Sequence, residues 1–247
     1  MIDTEVGWSH VLCPPEALDG TLEMQWLEQA LEGQATAALW RGQTGLVAPL
    51  SYRRHAQLDE ACAASGAQGW PVRLRRSGGG VVPQGPGILN LTLACPCAGA
   101  AGDMAERVYA YLCQLVTQAL AGLGIAAFPG SVQGSFCDGR FNLAVSHLGN
   151  TRKIAGTAQY WRRAKDKQAV LAHALLIVDA DPDNLSAQAN RFEEALASGR
   201  HYDANALTSV AQCWQRAHPG AACPGHLMGQ MVQQLIQLLA PNRAIKN

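Results

Sequence analysis

The chain has few charged residues and no excess of either sign. Its 247 residues include 19 Lys and Arg and 19 Asp and Glu, so the formal net charge is zero, and charged residues make up only 15% of the chain, against roughly 25% in an average soluble domain. Binding along a nucleic acid requires a surplus of cationic side chains on one face, so the neutral balance argues against a nucleic-acid partner. The hydrophobic content of 48% argues against intrinsic disorder.

The sequence also lacks long apolar runs and a recognisable secretory leader. The stretch Met1–His10 carries Asp3 and Glu5 and has no apolar centre, which is not the pattern of a signal peptide. The longest apolar runs, such as Ala174–Val178, are far too short to cross a bilayer. We therefore expect a cytoplasmic protein with no membrane partner.

Paired cysteines of the CxxC type are absent. The eight cysteines are Cys13, Cys62, Cys95, Cys97, Cys113, Cys137, Cys213 and Cys223. A chain of this length can bury roughly 70% of its unfolded surface, so it needs neither disulfides nor a metal to fold. The one close pair, Cys95 and Cys97, has no second pair to complete a zinc site, and we expect two small hydrophobic residues at a strand end.

Apolar periodicity predicts helices and strands without regular β–α alternation. Predicted helices cover residues 21–31, 57–64, 103–120, 185–197 and 227–239, and predicted strands cover residues 37–40, 45–49, 71–76, 88–94, 141–146, 153–160 and 169–178. Irregular mixing of this kind indicates an α+β fold, in which helices cover a mixed, mainly antiparallel sheet.

No repeat, low-complexity tract or linker divides the chain. We therefore expect a single domain over residues 1–247, with a core of about 21–197 and a C-terminal helical extension over 198–247. The strands at 37–40 and 45–49 are expected to flank a turn. The segment 199–225 is irregular in sequence, which predicts a lid or an exposed loop.

A glycine-rich turn follows two arginines in the middle of the chain. Arg75 and Arg76 precede Ser77 and the triple glycine Gly78–Gly80. Glycines let the backbone approach a ligand closely, and arginines can fix a carboxylate, a phosphate or an acidic partner. The turn is neither a P-loop nor a dinucleotide fingerprint, since no Gly-Lys-Ser/Thr follows and no helix opens after it. By itself the segment fits a simple turn equally well.

A lysine and a cysteine lie sixteen residues apart in the second half of the chain. Lys153 opens a predicted strand that also carries Gly156, and its ammonium could polarise a carbonyl or neutralise an oxyanion. Cys137 lies among glycine, serine, aspartate and arginine, which indicates a loop. Nearby cations can lower a thiol pKa from about 8.5 into the nucleophilic range, and Arg140 and Lys153 are candidates.

In their order along the chain, three motifs resemble the lipoate-protein ligase and octanoyltransferase family, which shares a catalytic domain with biotin-protein ligases. They are Arg75–Gly80, the Lys-Ile-Ala-Gly-Thr-Ala-Gln strand Lys153–Gln159, and His173–Asp181. The resemblance spans about residues 21–196. It implies the catalytic-domain fold of that family, in which a glycine loop lines an acyl tunnel and the strand lysine contacts the reacting carbonyl.

The resemblance also assigns expected roles. Catalytic roles fall to Cys137 and Lys153, and no metal ligand is expected. The expected substrate-binding residues are Arg75, Arg76, Ser77, Gly78, Gly79, Gly80, Gly156, Thr157, Ala158 and His173. For His173, a hydrogen-bonded structural histidine fits the apolar strand as well as an acid–base role does.

Departures from the family pattern favour one branch. ATP-using ligases of the family carry Gly-Arg-Asn-Asp before the lysine strand, whereas this chain has Phe141-Asn142 after Arg140. A neutral amide is a poorer magnesium ligand than a carboxylate. The cysteine-dependent octanoyltransferases place their cysteine before Arg-aromatic and the lysine strand, which Cys137 matches. Gln84 stands where another branch has histidine, and Cys223, far along the chain, ranks below Cys137 as a nucleophile.

We therefore expect an acyltransferase that attaches an octanoyl or lipoyl group to a lysine of a lipoyl-domain protein through a Cys137 thioester. The substrate would be lipoate or an octanoyl thioester, with acyl carrier protein as a possible donor, and no cofactor would be required. One alternative is a lipoate ligase that needs ATP and magnesium, with a biotin ligase further behind. Another is a non-catalytic acyl-binding homologue.

Two surface features complete the sequence-based expectations. Trp161–Arg163, together with Lys165 and Lys167, forms a basic patch that could dock an acidic partner, although a solvated turn is the default. Asp179 and Asp181 precede a proline, and we expect them to cap a turn rather than to bind a metal.

Overall fold

The computed structural model describes residue 8 and residues 10–14, 17–99 and 101–240. The segment Met1–His10, which lacks the pattern of a signal peptide, lies mostly outside the described residues, since residues 1–7 and 9 are not described. Residues 241–247, the end of the predicted C-terminal extension, also lie outside them. No helix in the described part of the chain is long and apolar enough to cross a membrane.

Ten strands form two sheets in the described part of the chain. The strands are β1 His10–Leu12, β2 Thr36–Arg41, β3 Gly45–Pro49, β4 Val72–Arg75, β5 Val82–Gln84, β6 Ile88–Pro96, β7 Ala127–Pro129, β8 Leu143–His147, β9 Asn150–Ala164 and β10 Lys167–Ile177. The large sheet has the order β1-β2-β6-β10-β9-β8-β7 and is antiparallel except for the β1–β2 pair. The small sheet has the order β4-β3-β5, with β3 parallel to β4 and antiparallel to β5. The expected mixed, mainly antiparallel α+β fold is confirmed.

Six α-helices within residues 8–240, as far as these are described, cover the sheets. They are α1 Leu22–Leu31, α2 Leu58–Ala67, α3 Ala101–Ala121, α4 Pro182–Ala195, α5 Val210–Ala217 and α6 Leu227–Leu239. Helix α1 buries Trp26, Leu27 and Ala30 against β2, β6 and β10. Helices α3 and α6 pack together with a second cluster of large-sheet side chains, and α2 and α4 pack on the small sheet.

One sequence-based expectation about a connection is wrong, and a second holds only in part. Strands β2 and β3 follow one another but lie in different sheets, because the chain crosses between the sheets at Gly42 instead of turning back. A Cβ at Gly42 would lie 2.6 Å from Oε1 of Gln84, so this crossing needs a residue without a side chain.

The segment expected as a lid or exposed loop, residues 199–225, is anchored in the fold through its middle part. Tyr202 and residues 206–210 are buried, and α5 continues from 210 to 217. The main-chain N–H of Asp203 donates to Gly134 (2.9 Å), and that of Thr208 donates to Lys153 (2.9 Å). Residues 199–201 and 218–225 are irregular and largely exposed. The polar composition of this segment hid the fact that its backbone hydrogen bonds are made to distant strands.

Other expectations agree with the structure. The main chain turns between β8 and β9 at His147–Asn150, and the Asp181 carboxylate caps α4 by accepting from the N–H of Asp183 (3.1 Å). Cys95 is buried in the large core cluster, and Cys97 packs against the same cluster.

Candidate active site

A slot of about 430 Å³ lies between the two sheets, beside the start of α1. Its walls come from α1, from β4 and β5 of the small sheet, and from β9 and β10 of the large one. Apolar wall residues include Trp40, Val47, Leu171, Leu175 and Ile177. Both Cys137 and Lys153 also line the slot, so the structure brings the predicted catalytic pair to one cavity.

Lys153 is buried, with 2% of its surface exposed. Its ammonium donates to the main-chain oxygens of Phe136 (2.5 Å) and Cys137 (3.2 Å), which leaves one of its three N–H bonds for a ligand. Burial lowers the pKa of Lys153 to about 8, although Cys137 and Asp138 act in the opposite direction. The lysine is therefore a cation at neutral pH but sits close to losing its proton.

A β-bulge aims Lys153 into the slot. In β8 the neighbouring residues Leu143 and Ala144 pair with Ala155 and Lys153 of β9, so β9 holds one extra residue. In a regular strand, side chains alternate between the two faces, so residues 153 and 156 would lie on opposite faces of the sheet. The extra residue brings both to the face that lines the slot. Gly156 completes the geometry, since a Cβ there would lie 3.1 Å from both Cε and Nζ of Lys153.

Cys137 is held in an unusual backbone conformation, with φ of 54°. Non-glycine residues adopt this left-handed region only where surrounding contacts hold them there. Here the Cys137 carbonyl accepts from the Lys153 ammonium and from Nδ2 of Asn142 (3.1 Å). The ATP-using ligases of the family have an aspartate at this position, which would have no N–H to donate. The asparagine found here therefore helps to hold the loop that carries Cys137.

The cation beside Cys137, other than Lys153, is Arg75. Its guanidinium donates to the carbonyls of Val47 (2.7 Å), Gly78 (2.9 Å) and Gly80 (2.8 Å). Burial lowers the pKa of Arg75, while its interaction with Cys137 acts to raise it. Arg75 therefore shapes the glycine turn and places positive charge next to the thiol.

Arg140, the cation expected to act on Cys137, has a different environment. Its side chain is 71% exposed and forms an ion pair with Glu106. The guanidinium also lies 4.7 Å from the centre of the Phe141 ring. Of the two candidate cations, Lys153 interacts with Cys137, and Arg75, which the sequence did not single out for this role, interacts with it too.

Gly79 makes room for the sulfur of Cys137. It has φ of 106°, and a Cβ at this position would lie 2.2 Å from Cys137 Sγ. Gly78, its neighbour, has open space where a Cβ would be. The two glycines therefore form a matched pair for mutation.

We expect Gly79→Ala to lower the free energy of unfolding by about 1–3 kcal/mol, because it adds both backbone strain and a clash. Gly78→Ala should change it by no more than about 0.5 kcal/mol. Denaturant unfolding measures both variants, and the alkylation rate of Cys137 reports its displacement. Equal unfolding free energies for the two variants would contradict the close contact between Gly79 and Cys137.

Gly80 is held from the side away from the cavities. A Cβ at Gly80 would lie 2.8 Å from the Tyr202 hydroxyl. That hydroxyl donates to Oε1 of the buried Glu193 (2.6 Å), as does the hydroxyl of Tyr52 (2.5 Å). The segment expected as a lid thus supports the glycine turn, which the sequence did not indicate.

A polar network lies along one wall of the slot. His173 pairs with Oε1 of Glu23 through Nδ1 (2.8 Å) and with Oδ1 of Asn90 through Nε2 (3.1 Å). Asn90 and Gln84 exchange two amide hydrogen bonds (2.9 and 3.0 Å). Burial acts to raise the pKa of Glu23, but His173 and Thr92 outweigh it, so this pKa is below its usual value. His173 is therefore hydrogen-bonded within the slot, and Gln84 replaces histidine without leaving Asn90 unpartnered.

A second cavity, of about 360 Å³, opens on the other side of Cys137. It is lined by Gly78 and Gly79, by Tyr109 of α3, by residues 137–142 and by residues 157–159. All predicted site residues except Gly80 line one of the two cavities: Arg75, Arg76, Ser77, Lys153, Gly156 and His173 line the slot, Gly78 and Gly79 line the second cavity, and Cys137, Thr157 and Ala158 line both.

The predicted basic patch is partly neutralised by α1. Arg162 forms an ion pair with Glu28, and Lys167 forms one with Glu32 (2.6 Å). These pairs are solvent-exposed and contribute little to stability. They do reduce the charge that the patch offers to an acidic partner.

The chain is similar in sequence to several known proteins. The family model described as the lipoyl protein ligase A/B catalytic domain matches residues 22–218. An uncharacterized protein of Cupriavidus necator is 48% identical over 198 residues, which cover 77% of this chain and 78% of that protein. The octanoyl-GcvH:protein N-octanoyltransferase of Kyrpidia tusciae is 40% identical over 148 residues, which are 58% of this chain and 49% of that enzyme. This chain therefore matches about half the length of that transferase.

The fold is also similar to that of a solved lipoate-protein ligase A bound with ATP. The TM-score is 0.62, with 18% identity, over 93% of this chain and 83% of that one. At this identity the likeness concerns the fold alone. Since the family match begins at α1 and extends past the end of α5, the chain belongs to the lipoyl protein ligase A/B catalytic-domain family.

Proposed function

We propose that the protein is an acyltransferase that attaches an octanoyl or lipoyl group to a lysine of a lipoyl-domain protein through a thioester on Cys137. The observation that carries this proposal is the placement of Cys137. Its sulfur packs on Gly79, it interacts with the cations of Arg75 and Lys153, and it borders a slot with apolar walls. A thiol beside two cations and an acyl-sized cavity has what a covalent acyl transfer requires.

In the first half-reaction Cys137 attacks the carbonyl carbon of a thioester donor. A bond forms between Sγ and that carbon, the donor's C–S bond breaks, and the donor thiol leaves with the proton lost by Cys137. The remaining N–H of Lys153 stabilises the negative charge on the carbonyl oxygen in the transition state.

The slot suits an unbranched chain of medium length. Each buried methylene contributes about 0.8 kcal/mol, so several of them suffice to select for an octanoyl chain. The polar wall does not oppose this, because Glu23, His173, Asn90 and Gln84 bond to one another. An apolar ligand would leave these groups with their present partners.

The residues at 138–142 fit a transferase better than an ATP-dependent ligase. Phe141 stacks on Tyr109, with ring centres 4.5 Å apart, and the Asn142 amide is engaged with the Cys137 carbonyl. Asp138 is the one carboxylate in this stretch, and its Oδ1 accepts from the Val132 N–H (2.7 Å). With a single carboxylate, which already accepts a main-chain hydrogen bond, the stretch is a poor match for the magnesium ion that accompanies a nucleotide.

The relatives support the same reaction class and indicate the partners. The Kyrpidia tusciae relative is named as transferring an octanoyl group from GcvH to protein. We propose a lipoyl-domain protein, of which GcvH is an example, as the acceptor. The donor is octanoyl-acyl carrier protein, which holds the octanoyl group as a thioester; a lipoyl-domain donor would hold it as a lysine amide, and its C–N bond would then break in place of the C–S bond.

Intact-mass spectrometry tests the proposal. The protein is incubated with octanoyl-acyl carrier protein and an unmodified lipoyl-domain protein, with ATP omitted. We expect one octanoyl group to appear on the enzyme and then on the acceptor lysine. Acceptor modification that needs ATP and free lipoate would establish the ligase alternative, and ligand binding without any modification would establish the non-catalytic one.

A further inference from the structure

The second cavity gives Cys137 a connection to solvent that is separate from the slot. It is lined by the loop 137–142, by the glycine turn and by Tyr109, and it opens more widely to solvent than the slot does. Cys137, Thr157, Ala158 and Gln159 line both cavities. Cys137 thus lies where the two cavities meet.

A thioester on Cys137 would require both cavities. If the acyl chain stays in the slot through both half-reactions, the departing thiol and the arriving amine must reach the carbonyl carbon from elsewhere. We infer that the second cavity is the access route for the lysine side chain of the acceptor protein. The thiol arm of the donor uses the same route in the first half-reaction, so donor and acceptor exclude each other. This inference rests on the proposed function.

The lining of the cavity suits a lysine arm. The stacked rings of Phe141 and Tyr109 offer an apolar wall for its methylenes. The Asp138 carboxylate, adjacent to Cys137 along the chain, attracts its ammonium. Arg140 lies over the Phe141 ring and is paired with Glu106, so it does not present an unpaired positive charge to the incoming amine.

The second half-reaction balances at this position. A C–N bond forms between the lysine nitrogen and the thioester carbon, and the bond between that carbon and Cys137 Sγ breaks. The acceptor ammonium loses two protons in becoming an amide. One of them restores the Cys137 thiol, and the other passes to solvent near Asp138.

Gly139 allows the cavity to be filled without disturbing the fold. It lines the second cavity only, and a Cβ there meets no atom within 4 Å. Gly139→Phe therefore adds bulk to the access route. The matched control is Gly66→Phe, since Gly66 lies on the exposed face of α2, also with open space, and lines neither cavity.

The acyl-enzyme is first prepared from a small octanoyl thioester, such as that of N-acetylcysteamine, with long incubation. It is then mixed with a lipoyl-domain protein or with hydroxylamine. For Gly139→Phe we expect transfer to the lysine to slow by about 10- to 100-fold, while discharge by hydroxylamine, which is small, stays within about two-fold of wild type. Gly66→Phe should behave as wild type in both reactions.

Lysine transfer at the wild-type rate from Gly139→Phe acyl-enzyme would overturn the inference. Equal slowing of both nucleophiles would also overturn it, because that result indicates a disturbed thioester rather than a blocked route. Failure of the proposed function looks different, since the wild-type protein would then form no acyl-enzyme at all.

Discussion

Cys137→Ser is expected to eliminate the acyl-enzyme and to lower octanoyl transfer by at least about 10³-fold. A serine hydroxyl is far less ionised than a thiol, and the cations of Arg75 and Lys153 act on a thiolate. Removal of the nucleophile from a covalent mechanism has effects of this size or larger. Single-turnover assays with octanoyl-acyl carrier protein, read by intact mass, measure the acyl-enzyme and the product together.

The matched control for this substitution is Cys223→Ser. Cys223 is the rival cysteine that precedes Pro-Gly, and it is exposed and lines neither cavity. We expect this variant to form acyl-enzyme and product at the wild-type rate. Transfer that survives in Cys137→Ser and is lost in Cys223→Ser would reverse the assignment of the nucleophile. Survival in both variants would remove the covalent mechanism.

The sequence predicts the elements of this fold better than their connections. Strong apolar periodicity gave the helix 227–239 and the strand 45–49 with the bounds found in the structure. Local patterns do not report which strand pairs with which, and so the crossing of the chain at Gly42 was missed. The anchoring of Tyr202 and residues 206–210 was missed for a related reason, because the main-chain partners of this stretch, Gly134 and Lys153, are more than fifty residues away.

Some residues of the candidate site could be found from sequence motifs, and others only from the structure. The motifs that resemble the family lie at the two cavities, with Cys137 and Lys153 together at the slot. Glu23 could not be found from the sequence, because it sits among polar residues of an ordinary amphipathic helix and its partner His173 is 150 residues away. The replacement at Asn142 was noticed as the loss of a carboxylate. Asparagine also brings an N–H group, which donates to the Cys137 carbonyl, and this hydrogen bond could be found only from the structure.

Lys153→Met is expected to slow acylation of Cys137 by about 10²- to 10³-fold, the usual effect of losing one oxyanion donor. Methionine fills similar space without the charge, and the two bonds to the Phe136 and Cys137 carbonyls are also lost. The measurement is the rate of acyl-enzyme formation with a small octanoyl thioester, which avoids any effect on partner binding. The control Lys167→Met breaks only an exposed pair with Glu32 and should leave this rate unchanged. A rate for Lys153→Met within two-fold of wild type would contradict the role of the ammonium.

The pH dependence of the same pair of proteins tests the buried ammonium directly. Because burial lowers the pKa of Lys153 to about 8, wild-type acylation should decline above about pH 8, where the oxyanion donor loses its charge. The unfolded chain binds this proton up to its ordinary pKa of about 10.4. Between those values the unfolded state holds more protons, so the free energy of unfolding should rise with pH, by about 3 kcal/mol over the window. Denaturant unfolding from pH 7 to 10 should show this rise in the wild type relative to Lys153→Met. Parallel stability curves for the two proteins would mean that Lys153 titrates at its ordinary pKa, and that the desolvated site described here does not perturb it.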